Sequence, residues 1–305
     1  MANLLRDKVA IVTGAGRGIG HGVARLMAAE GAQVVVVDPG VNVDGSGFDQ
    51  SVAQQVVAEI QEGGGSAVAC TESVTSMVGG ERIVQTAIDH FGKLDIVVTC
   101  AGILRDRMVF NMSEQEWDDV IAVHLKGTFT VVKHACILFR QQRSGRIITF
   151  TSTSGLYGNS GQANYGAAKD GIAGFTRVVA RDMGRYGVTA NSISPSAATR
   201  MTVSVPEEAR ALRTARGIAG AGMPSIRGEP EDVAPFTVWL ASDEAAHVNG
   251  HVFHVTDGLV SLMNEPTPVK SIRKDGRWTV EDLVRVFPHT LGLELHNPAP
   301  APPVS

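Results

Sequence analysis

A tyrosine and a lysine four positions apart, Tyr165 and Lys169, form the pattern that most directly predicts chemistry in this chain. In a helix, two such side chains lie one turn apart on the same face. A phenol titrates at about 10, and a neighbouring ammonium stabilises its ionised form. Tyr165 is therefore a candidate general acid/base. The alternative is an ordinary pair on an exposed helix surface.

A group of hydroxyl side chains precedes this pair. Ser152 lies thirteen residues before Tyr165, just after a predicted strand, and its hydroxyl could hydrogen-bond a substrate oxygen. Ligands of open α/β sheets bind at the carboxyl ends of the strands. Thr151, Thr153 and Ser154 surround Ser152, and spacing alone does not choose among the four. Each of them has the alternative role of a turn or cap residue.

A glycine-rich turn, Thr13–Gly20, follows the first predicted strand and opens the first predicted helix. Glycines in such a turn allow a tight bend, close approach of a pyrophosphate and close packing of helix on strand. N–H groups at a helix start also bind anions. The spacing GxxxGxG differs from the commonest dinucleotide fingerprint, so an ordinary loop is the alternative. The predicted cofactor contacts in this turn are Gly14, Arg17, Gly18, Ile19 and Gly20.

An acidic residue, Asp38, ends the second predicted strand at about 20 residues past the turn, where a carboxylate can accept hydrogen bonds from ribose hydroxyls. The same charge repels a 2′-phosphate, which favours NAD over NADP. Arg17 favours NADP instead, because a basic residue in the turn could contact that phosphate. The alternative for Asp38 is a turn residue before Pro39.

Short apolar strands alternate with longer helical segments along the chain. This alternation predicts an α/β fold, a single doubly wound Rossmann-like domain with a seven-stranded parallel sheet. The predicted strands are Val9–Thr13, Gln33–Asp38, Ala67–Cys70, Leu94–Thr99, Gly145–Thr151, Val188–Ile193 and Val252–Val255. The predicted helices lie near 18–30, 49–62, 77–91, 114–141, 162–185 and 230–242.

Three segments fall outside the alternation: a Gly-rich insert at 39–48, a weakly patterned loop at 196–229, and a tail at 265–305. We expect the loop to line the substrate, as long loops in compact enzymes often do. Without the insert and the tail, the chain has about 250 residues, the size of one doubly wound domain. We therefore predict one domain over residues 1–264 and a C-terminal extension over 265–305.

Composition argues against several classes of protein. Of the 305 residues 44% are hydrophobic, and 27 basic against 31 acidic side chains give a net charge of −4. We expect no nucleic-acid partner and no membrane association, because a basic excess and long apolar runs are lacking. The cysteines Cys70, Cys100 and Cys136 fit buried thiols better than disulfides or a metal site. With no apolar signal core at the start, these features predict a cytoplasmic protein.

The turn Thr13–Gly20, Ser152, the Tyr165/Lys169 pair and the stretch Asn191–Pro195 occur in the order and spacing of the short-chain dehydrogenase/reductase family, which the chain resembles over about residues 7–258. The resemblance implies that Tyr165 is the acid/base, that Lys169 lowers its pKa and binds the nicotinamide ribose, and that Ser152 orients the substrate oxygen. Further cofactor contacts implied by the resemblance are Glu72, Ser73, Val74, Ala101, Gly102, Pro195 and Thr199.

Within this family the chain looks most like the (3R)-hydroxyacyl-CoA dehydrogenase subgroup. The stretches that carry this likeness are 101–107, 123–127, 158–165 and 199–201, with the insert and the tail. The likeness implies NAD-dependent oxidation of a 3-hydroxyacyl-CoA. A steroid-derived acyl group is one candidate for the acyl chain. Alternatives are a 3-oxoacyl thioester reductase, a hydroxysteroid dehydrogenase and, more remotely, an inactive dinucleotide-binding regulator. Family resemblance also implies a homodimer or homotetramer through the helices near 114–141 and 162–185.

The chain departs from the family pattern at several positions. Cys100 replaces the asparagine usual before Ala101, Glu72 replaces an aspartate, and Ser196 replaces a glycine. His124 stands where many members carry an asparagine that holds a proton-relay water, and histidine can also relay protons; its alternative role is a packed helical histidine. Arginines of the substrate loop could meet CoA phosphates or could simply be solvated: Arg200, Arg210, Arg213, Arg216 and Arg227.

Overall fold

A computed structural model describes residues 3–198, 228–293 and 295. Its centre is a single sheet in the order β3-β2-β1-β4-β5-β6-β7-β8. The first seven strands pair in parallel, as predicted. The strands are β1 Val9–Thr13, β2 Gln33–Val37, β3 Ser66–Cys70, β4 Ile96–Thr99, β5 Gly145–Phe150, β6 Val188–Pro195, β7 Val252–Thr256 and β8 Leu259–Leu262.

The predicted number of seven strands was wrong, because an eighth strand extends the sheet. β8 runs antiparallel to β7, with Thr256 opposite Leu259. Only Asp257 and Gly258 connect the two strands, and Gly258 has a φ of +71°. An Asp-Gly pair between apolar residues is a strong signal for a hairpin. The sequence therefore carries a signal for the hairpin of β7 and β8, although the alternation of strands and helices alone does not predict an eighth strand.

Nine α-helices lie in the described part of the chain. They are α1 Gly18–Ala29, α2 Ser51–Glu62, α3 Met77–Phe91, α4 Glu114–Ile121, α5 Gly127–Gln142, α6 Thr153–Leu156, α7 Ala163–Gly184, α8 Ala234–Ala241 and α9 Val280–Val286. All six predicted helices are present, with ends shifted by a few residues. The short α6 and α9 were not predicted as separate helices.

The two faces of the sheet are covered by different helices. On one face Val12 and Val34 pack with Val23 of α1 and Val238 of α8 in one apolar cluster. On the other face alternate strand residues pack against α3, α5 and α7 in a second cluster, which includes the fully buried Phe139. Both faces of each parallel strand must therefore be apolar, which explains the unbroken Val/Ile runs.

The predicted helix near 114–141 is interrupted by one π turn, Ala122–Lys126, between α4 and α5. Ser113 caps α4 in a reciprocal capping box with Glu116, which fixes where the helix begins. A π turn adds one residue per turn and reorients the side chains around it; such turns often occur at functional sites. His124 lies in the middle of this turn and is 1% exposed.

The combined helix Glu114–Gln142 is long and apolar enough to meet the length and composition criterion for a membrane span, and 44% of the qualifying window is buried in the fold. Core helices of globular proteins meet the same criterion. The apolar side chains that this helix exposes include Trp117, Phe129 and Ile137. The feature is therefore weak evidence for a membrane and leaves an unpaired apolar surface on α4 and α5.

The insert at 39–48 folds back onto the loop that follows β4. Asp49 N donates to Pro39 O, which closes the insert, and Leu104 N donates to Val43 O at 2.8 Å. After β8, the chain continues through residues 265–293 outside the sheet, with α9 capped by a reciprocal box between Thr279 and Asp282.

The hairpin connection gives a test of the eighth strand. Gly258→Ala should lower the free energy of unfolding by about 1 kcal/mol, since a Cβ is disfavoured at positive φ. The space around Gly258 is open, so crowding does not contribute. Gly63→Ala is the matched control, because Gly63 has a φ of −74°. Urea denaturation of both variants measures the difference; equal stabilities would contradict this backbone conformation.

Candidate active site

The candidate site lies at the carboxyl edge of the sheet, where β1, β4, β5 and β6 end together. The chain order reverses between β1 and β4, since β2 and β3 lie on one side and β5 on the other. Open α/β sheets bind their ligands in the crevice at such a reversal. The residues predicted from sequence are distributed along this edge.

The glycine turn has the shape that a phosphate site requires. Gly14 has a φ of +65°, and a Cβ there would lie 2.7 Å from Cα of Ala101. A Cβ on Gly20 would lie 2.2 Å from the Gly14 carbonyl oxygen, so β1 and α1 approach too closely for any other residue. Arg17 precedes α1 and supplies no side-chain cap. The first N–H groups of α1 are therefore available to an anion.

Asp38 is 6% exposed and accepts two backbone hydrogen bonds. Gly16 N donates to Oδ2 at 2.9 Å, and Gly40 N donates to Oδ1 at 2.7 Å. A carboxylate offers about four acceptor positions, so the remaining ones can accept from ribose hydroxyls. The guanidinium of Arg17 donates to Val41 O at 3.2 Å and is turned towards the insert.

Other predicted cofactor residues surround the same crevice. Glu72 follows β3 and is paired with Arg82 at 3.2 Å, and the Ser73 hydroxyl lies 3.0 Å from that of Thr75. Val74 is buried. Ala101 and Gly102 follow β4, Pro195 ends β6, and Ile19 lies in the first turn of α1 next to Gly18. Thr199 and the loop arginines from Arg200 to Arg227 lie outside the described residues.

The structure distinguishes the four hydroxyls that spacing could not separate. Thr151 Oγ1 donates to the Lys169 carbonyl at 2.6 Å, and Ser154 Oγ donates to Gln162 Oε1 at 2.8 Å. The Ser152 hydroxyl lies close enough to the phenol of Tyr165 to act on it and lower its pKa. It also accepts from Ser154 N at 3.1 Å as the N-cap of α6. Ser152 is therefore the hydroxyl that meets Tyr165.

Tyr165 and Lys169 lie one turn apart on α7, with the Lys169 Nζ atom 5.6 Å from the centre of the Tyr165 ring. Nζ donates to Phe150 O at 2.7 Å. Burial lowers the pKa of Lys169 to about 8. Burial raises the pKa of Tyr165 to about 12, although the Ser152 hydroxyl acts in the opposite direction. In the ligand-free protein desolvation is the larger effect, and the lowering of the Tyr165 pKa by Lys169 stays a prediction.

The contact between α6 and α7 places Ser152 beside Tyr165. A Cβ on Gly155 of α6 would lie 2.5 Å from Asp170 N of α7, so the two helices touch through their backbones. The Thr151 bond to Lys169 O fastens the end of β5 to the same turn of α7. Sequence reasoning did not single out Gly155, although a glycine three residues after Ser152 was visible.

His124 packs its ring edge-on against Tyr165, with ring centres 5.1 Å apart. Its Nε2 lies 2.8 Å from Ile103 O, and Nδ1 is buried with no hydrogen-bond partner among the residues that the structure describes. Burial and the neighbouring Lys169 lower the pKa of His124 to about 3, so the imidazole is neutral near pH 7. The structure brings His124 to the site; its relay role stays a prediction.

Three polar side chains that sequence reasoning missed lie just beyond these residues: Asp106, Gln162 and Asn164. Asn164 is fully buried and donates to the carbonyls of Arg105 and Glu116 at 3.0 and 2.9 Å. The stretch 158–165 had attracted attention only through its family likeness. No local pattern predicts these bonds, since their partners lie some fifty residues away.

The contact between Gly102 and His124 gives a test of this arrangement. A Cβ on Gly102 would lie 2.4 Å from His124 Cε1. Gly102→Ala should therefore destabilise the protein by about 1–3 kcal/mol, the usual cost of overpacking. Adding His124→Asn shortens the opposing side chain and should recover part of that loss, so the two changes are non-additive. Strict additivity in urea denaturation would show that the two side chains do not touch.

Comparison with known proteins agrees with this geometry. The family model described as enoyl-(acyl carrier protein) reductase matches residues 14–260. The mouse peroxisomal multifunctional enzyme type 2 is 40% identical over 290 residues, which are 93% of this chain and 37% of that protein. A hydroxyacyl-CoA dehydrogenase of Mycobacterium tuberculosis is 40% identical over 89% of this chain and 84% of its own length. A 3-oxoacyl-[acyl-carrier-protein] reductase of Synechocystis is 39% identical over 84% of this chain and 98% of its own length.

A solved structure extends the match to three dimensions. The crystal structure of a short chain dehydrogenase from Mycobacterium avium superposes with a TM-score of 0.81 at 42% identity, covering 99% of this chain and 100% of that one. The sheet that carries the Ser152–Tyr165–Lys169 cluster at its carboxyl edge therefore belongs to a chain that matches a solved short chain dehydrogenase in both sequence and fold. This chain belongs to the short-chain dehydrogenase/reductase family.

Proposed function

We propose that this protein is an NAD-dependent dehydrogenase that oxidises the 3-hydroxyl group of an acyl-CoA to a ketone. The observation that carries the proposal is the placement of the Ser152 hydroxyl beside the phenol of Tyr165, with the ammonium of Lys169 one helical turn away. The substrate class is supported by the relatives named as hydroxyacyl-CoA dehydrogenase and peroxisomal multifunctional enzyme.

A nicotinamide dinucleotide fits the crevice as described. The cradle formed by Gly14 and Gly20 would be filled by any side chain at those positions, and the uncapped start of α1 suits a pyrophosphate. When bound, the dinucleotide supplies the site for hydride transfer. The protein's own residues bind and orient the reactants and move the proton.

NAD rather than NADP is supported by charge at the ribose end of the crevice. The buried carboxylate of Asp38 lies against the glycine turn at Gly16, where a 2′-phosphate would meet an uncompensated negative charge. Arg17 could offset that charge only by leaving its bond with Val41 O. The charge of Asp38 therefore has a larger effect on the choice between NAD and NADP than the charge of Arg17.

Three side chains share the work on the substrate oxygen. Ser152 accepts from Ser154 N, so its own hydrogen remains for donation to that oxygen. Tyr165 removes the hydroxyl proton during oxidation and returns it during reduction. At pH 7 Lys169 is mostly an ammonium, because its lowered pKa is about 8. Within the described residues Phe150 O is its one hydrogen-bond acceptor, which leaves donors for the ribose of the nicotinamide.

A 3-oxoacyl thioester reductase is the second candidate. It is favoured by the Synechocystis relative of that name, since the match covers 98% of that protein. The same three side chains serve both directions, so the cofactor decides between the two candidates. Selection of a steroid-derived acyl group or of a free hydroxysteroid would depend on the substrate loop. Residues 199–227 of that loop lie outside the described part. An inactive regulator is disfavoured because Tyr165 and Lys169 are both retained and adjacent.

A homodimer or homotetramer through α5 and α7 belongs to the same proposal. Phe129 and Ile137 of α5 and Val178 of α7 are 42%, 44% and 55% exposed. Apolar side chains of this size on adjacent helices support burial against a second copy. The same contact would cover the apolar surface of the long helix.

The role of Tyr165 is tested by Tyr165→Phe, which should lower kcat by roughly 10²–10⁴-fold, the usual contribution of a general acid/base. Binding of the reduced cofactor, followed by fluorescence, should change little. Tyr186→Phe is the matched control, since Tyr186 stacks with Arg143 and Arg185 away from the site. Because the Tyr165 pKa is raised to about 12, the small phenolate fraction grows with pH, and oxidation by the wild type should become faster as pH rises through the neutral range. Reduction, which needs the protonated phenol, should stay nearly constant over the same range. Full activity of Tyr165→Phe would exclude this mechanism.

Cofactor choice is tested by Asp38→Ser. Removing the carboxylate should lower the ratio of kcat/KM for NAD to that for NADP by about tenfold or more, since the repulsion of a 2′-phosphate disappears. Asp44→Asn is the control, because it removes an exposed charge from the same insert without touching Asp38. Steady-state assays with both cofactors give the ratio. A wild-type preference for NADP would favour the reductase instead.

A further inference from the structure

A chain of hydrogen bonds leads from Asp106 to the reacting hydroxyls. Gln162 Nε2 donates to Asp106 Oδ2 at 2.8 Å, and Gln162 Oε1 accepts from Ser154 Oγ at 2.8 Å and from Asn159 Nδ2 at 2.9 Å. Ser154 N donates in turn to Ser152 Oγ. Gln162 and Ser154 are 9% and 6% exposed, so these bonds are sheltered from water.

The carboxylate of Asp106 fixes the donor-to-acceptor direction of this series of hydrogen bonds. An ionised carboxyl group only accepts hydrogen bonds, so Gln162 must turn its NH₂ group towards Asp106. Its carbonyl oxygen then points towards Ser154, which has to donate from its hydroxyl. The two ends of an amide differ chemically but hardly in shape, so the carboxylate of Asp106, together with the amide of Asn159, fixes which end of Gln162 faces Ser154.

Gln162 also joins the two elements that carry the reacting groups. Its backbone carbonyl accepts from Gly166 N at 2.7 Å and begins α7, where Tyr165 lies in the first turn. Its side chain holds α6, whose N-cap is Ser152. Together with the Gly155 contact between α6 and α7, Gln162 therefore helps to set the separation of Ser152 and Tyr165.

We infer that Asp106 and Gln162 are positioning residues that set the distance and donor direction between Ser152 and Tyr165. The inference rests on the proposed function only in that these two hydroxyls act on the substrate. A bond made or lost at Gln162 moves one reacting group relative to the other, while the cofactor crevice at Gly14 and Asp38 keeps its own separate supports.

Asp106 also acts on Tyr165 through its charge. The groups that face the phenol are Lys169 on α7, His124 in the π turn, Ser152 before α6 and Asp106 on the loop after β4. Of the described groups that face the phenol, Asp106 alone carries a negative charge. That charge contributes to the raised pKa of the phenol. Removing that charge while keeping the hydrogen bond separates its two effects.

The inference is tested with two substitutions and one matched control. Gln162→Leu removes the side-chain bonds with Asp106, Ser154 and Asn159, and a displacement near 1 Å should lower kcat by about 10²-fold with the KM for the cofactor unchanged. Asp106→Asn still accepts from Gln162, so kcat should fall less, while the alkaline limb of the pH profile moves down by roughly half a pH unit. Thr176→Val is the control: it removes a buried hydroxyl of α7 that bonds to Thr149 and to the Ile172 carbonyl, away from the site.

A second readout does not need turnover. Tyrosine carrying a ¹³C label at Cζ gives three signals by NMR, from Tyr157, Tyr165 and Tyr186. The Tyr165 signal, assigned with Tyr165→Phe, should move in Gln162→Leu and Asp106→Asn and stay in place in Thr176→Val. If the wild type fails to oxidise 3-hydroxyacyl-CoA, the proposed function fails, and this signal still decides the inference. An unmoved signal, or a loss of kcat no greater than the loss of folded protein, overturns it.

Discussion

The burial of an acid and a base side by side is the constraint on which this site depends. Tyr165 and Lys169 leave water together at the edge of the sheet, and desolvation pushes both towards their neutral forms, with pKa values of about 12 and about 8. Reactivity requires interactions that restore the charged forms, and the structure supplies them from other elements: a hydroxyl at Ser152 and a carbonyl at Phe150. The parallel sheet matters because it brings the ends of β4, β5 and β6 to one place around α7.

Much of the fold could be predicted because its constraints are local. A parallel strand covered on both faces has to be apolar throughout, and the runs at Val9–Thr13 and Gln33–Val37 satisfy that rule without interruption. The features that escaped prediction are small irregularities. The π turn Ala122–Lys126 differs from an α-helix by one residue per turn, and β8 is four residues long. Neither produces a period that a window of sequence can distinguish from its surroundings.

The residues of the site likewise divide into those that the sequence predicts and those that it does not. The spacing of Tyr165 and Lys169 predicts their proximity, because one helix carries both. The choice of Ser152 among four hydroxyls did not follow from spacing, since it depends on how α6 lies against α7. The bonds from Asp106 to Gln162 and from Asn164 to Arg105 join segments about fifty residues apart. Sequence chemistry identifies groups that react; the groups that hold them in place become visible only once the chain is folded.

The antiparallel direction of β8 has a consequence for how this fold can be joined to others. β7 runs towards the carboxyl edge, and β8 returns the chain to the amino edge, where Glu265 lies 3.4 Å from His251. The chain therefore leaves β8 at the edge opposite the crevice, so the segment that follows starts away from the glycine turn and Tyr165. The region of the mouse relative that matches this chain is 37% of that protein, so a similar sequence is joined there to a much longer chain.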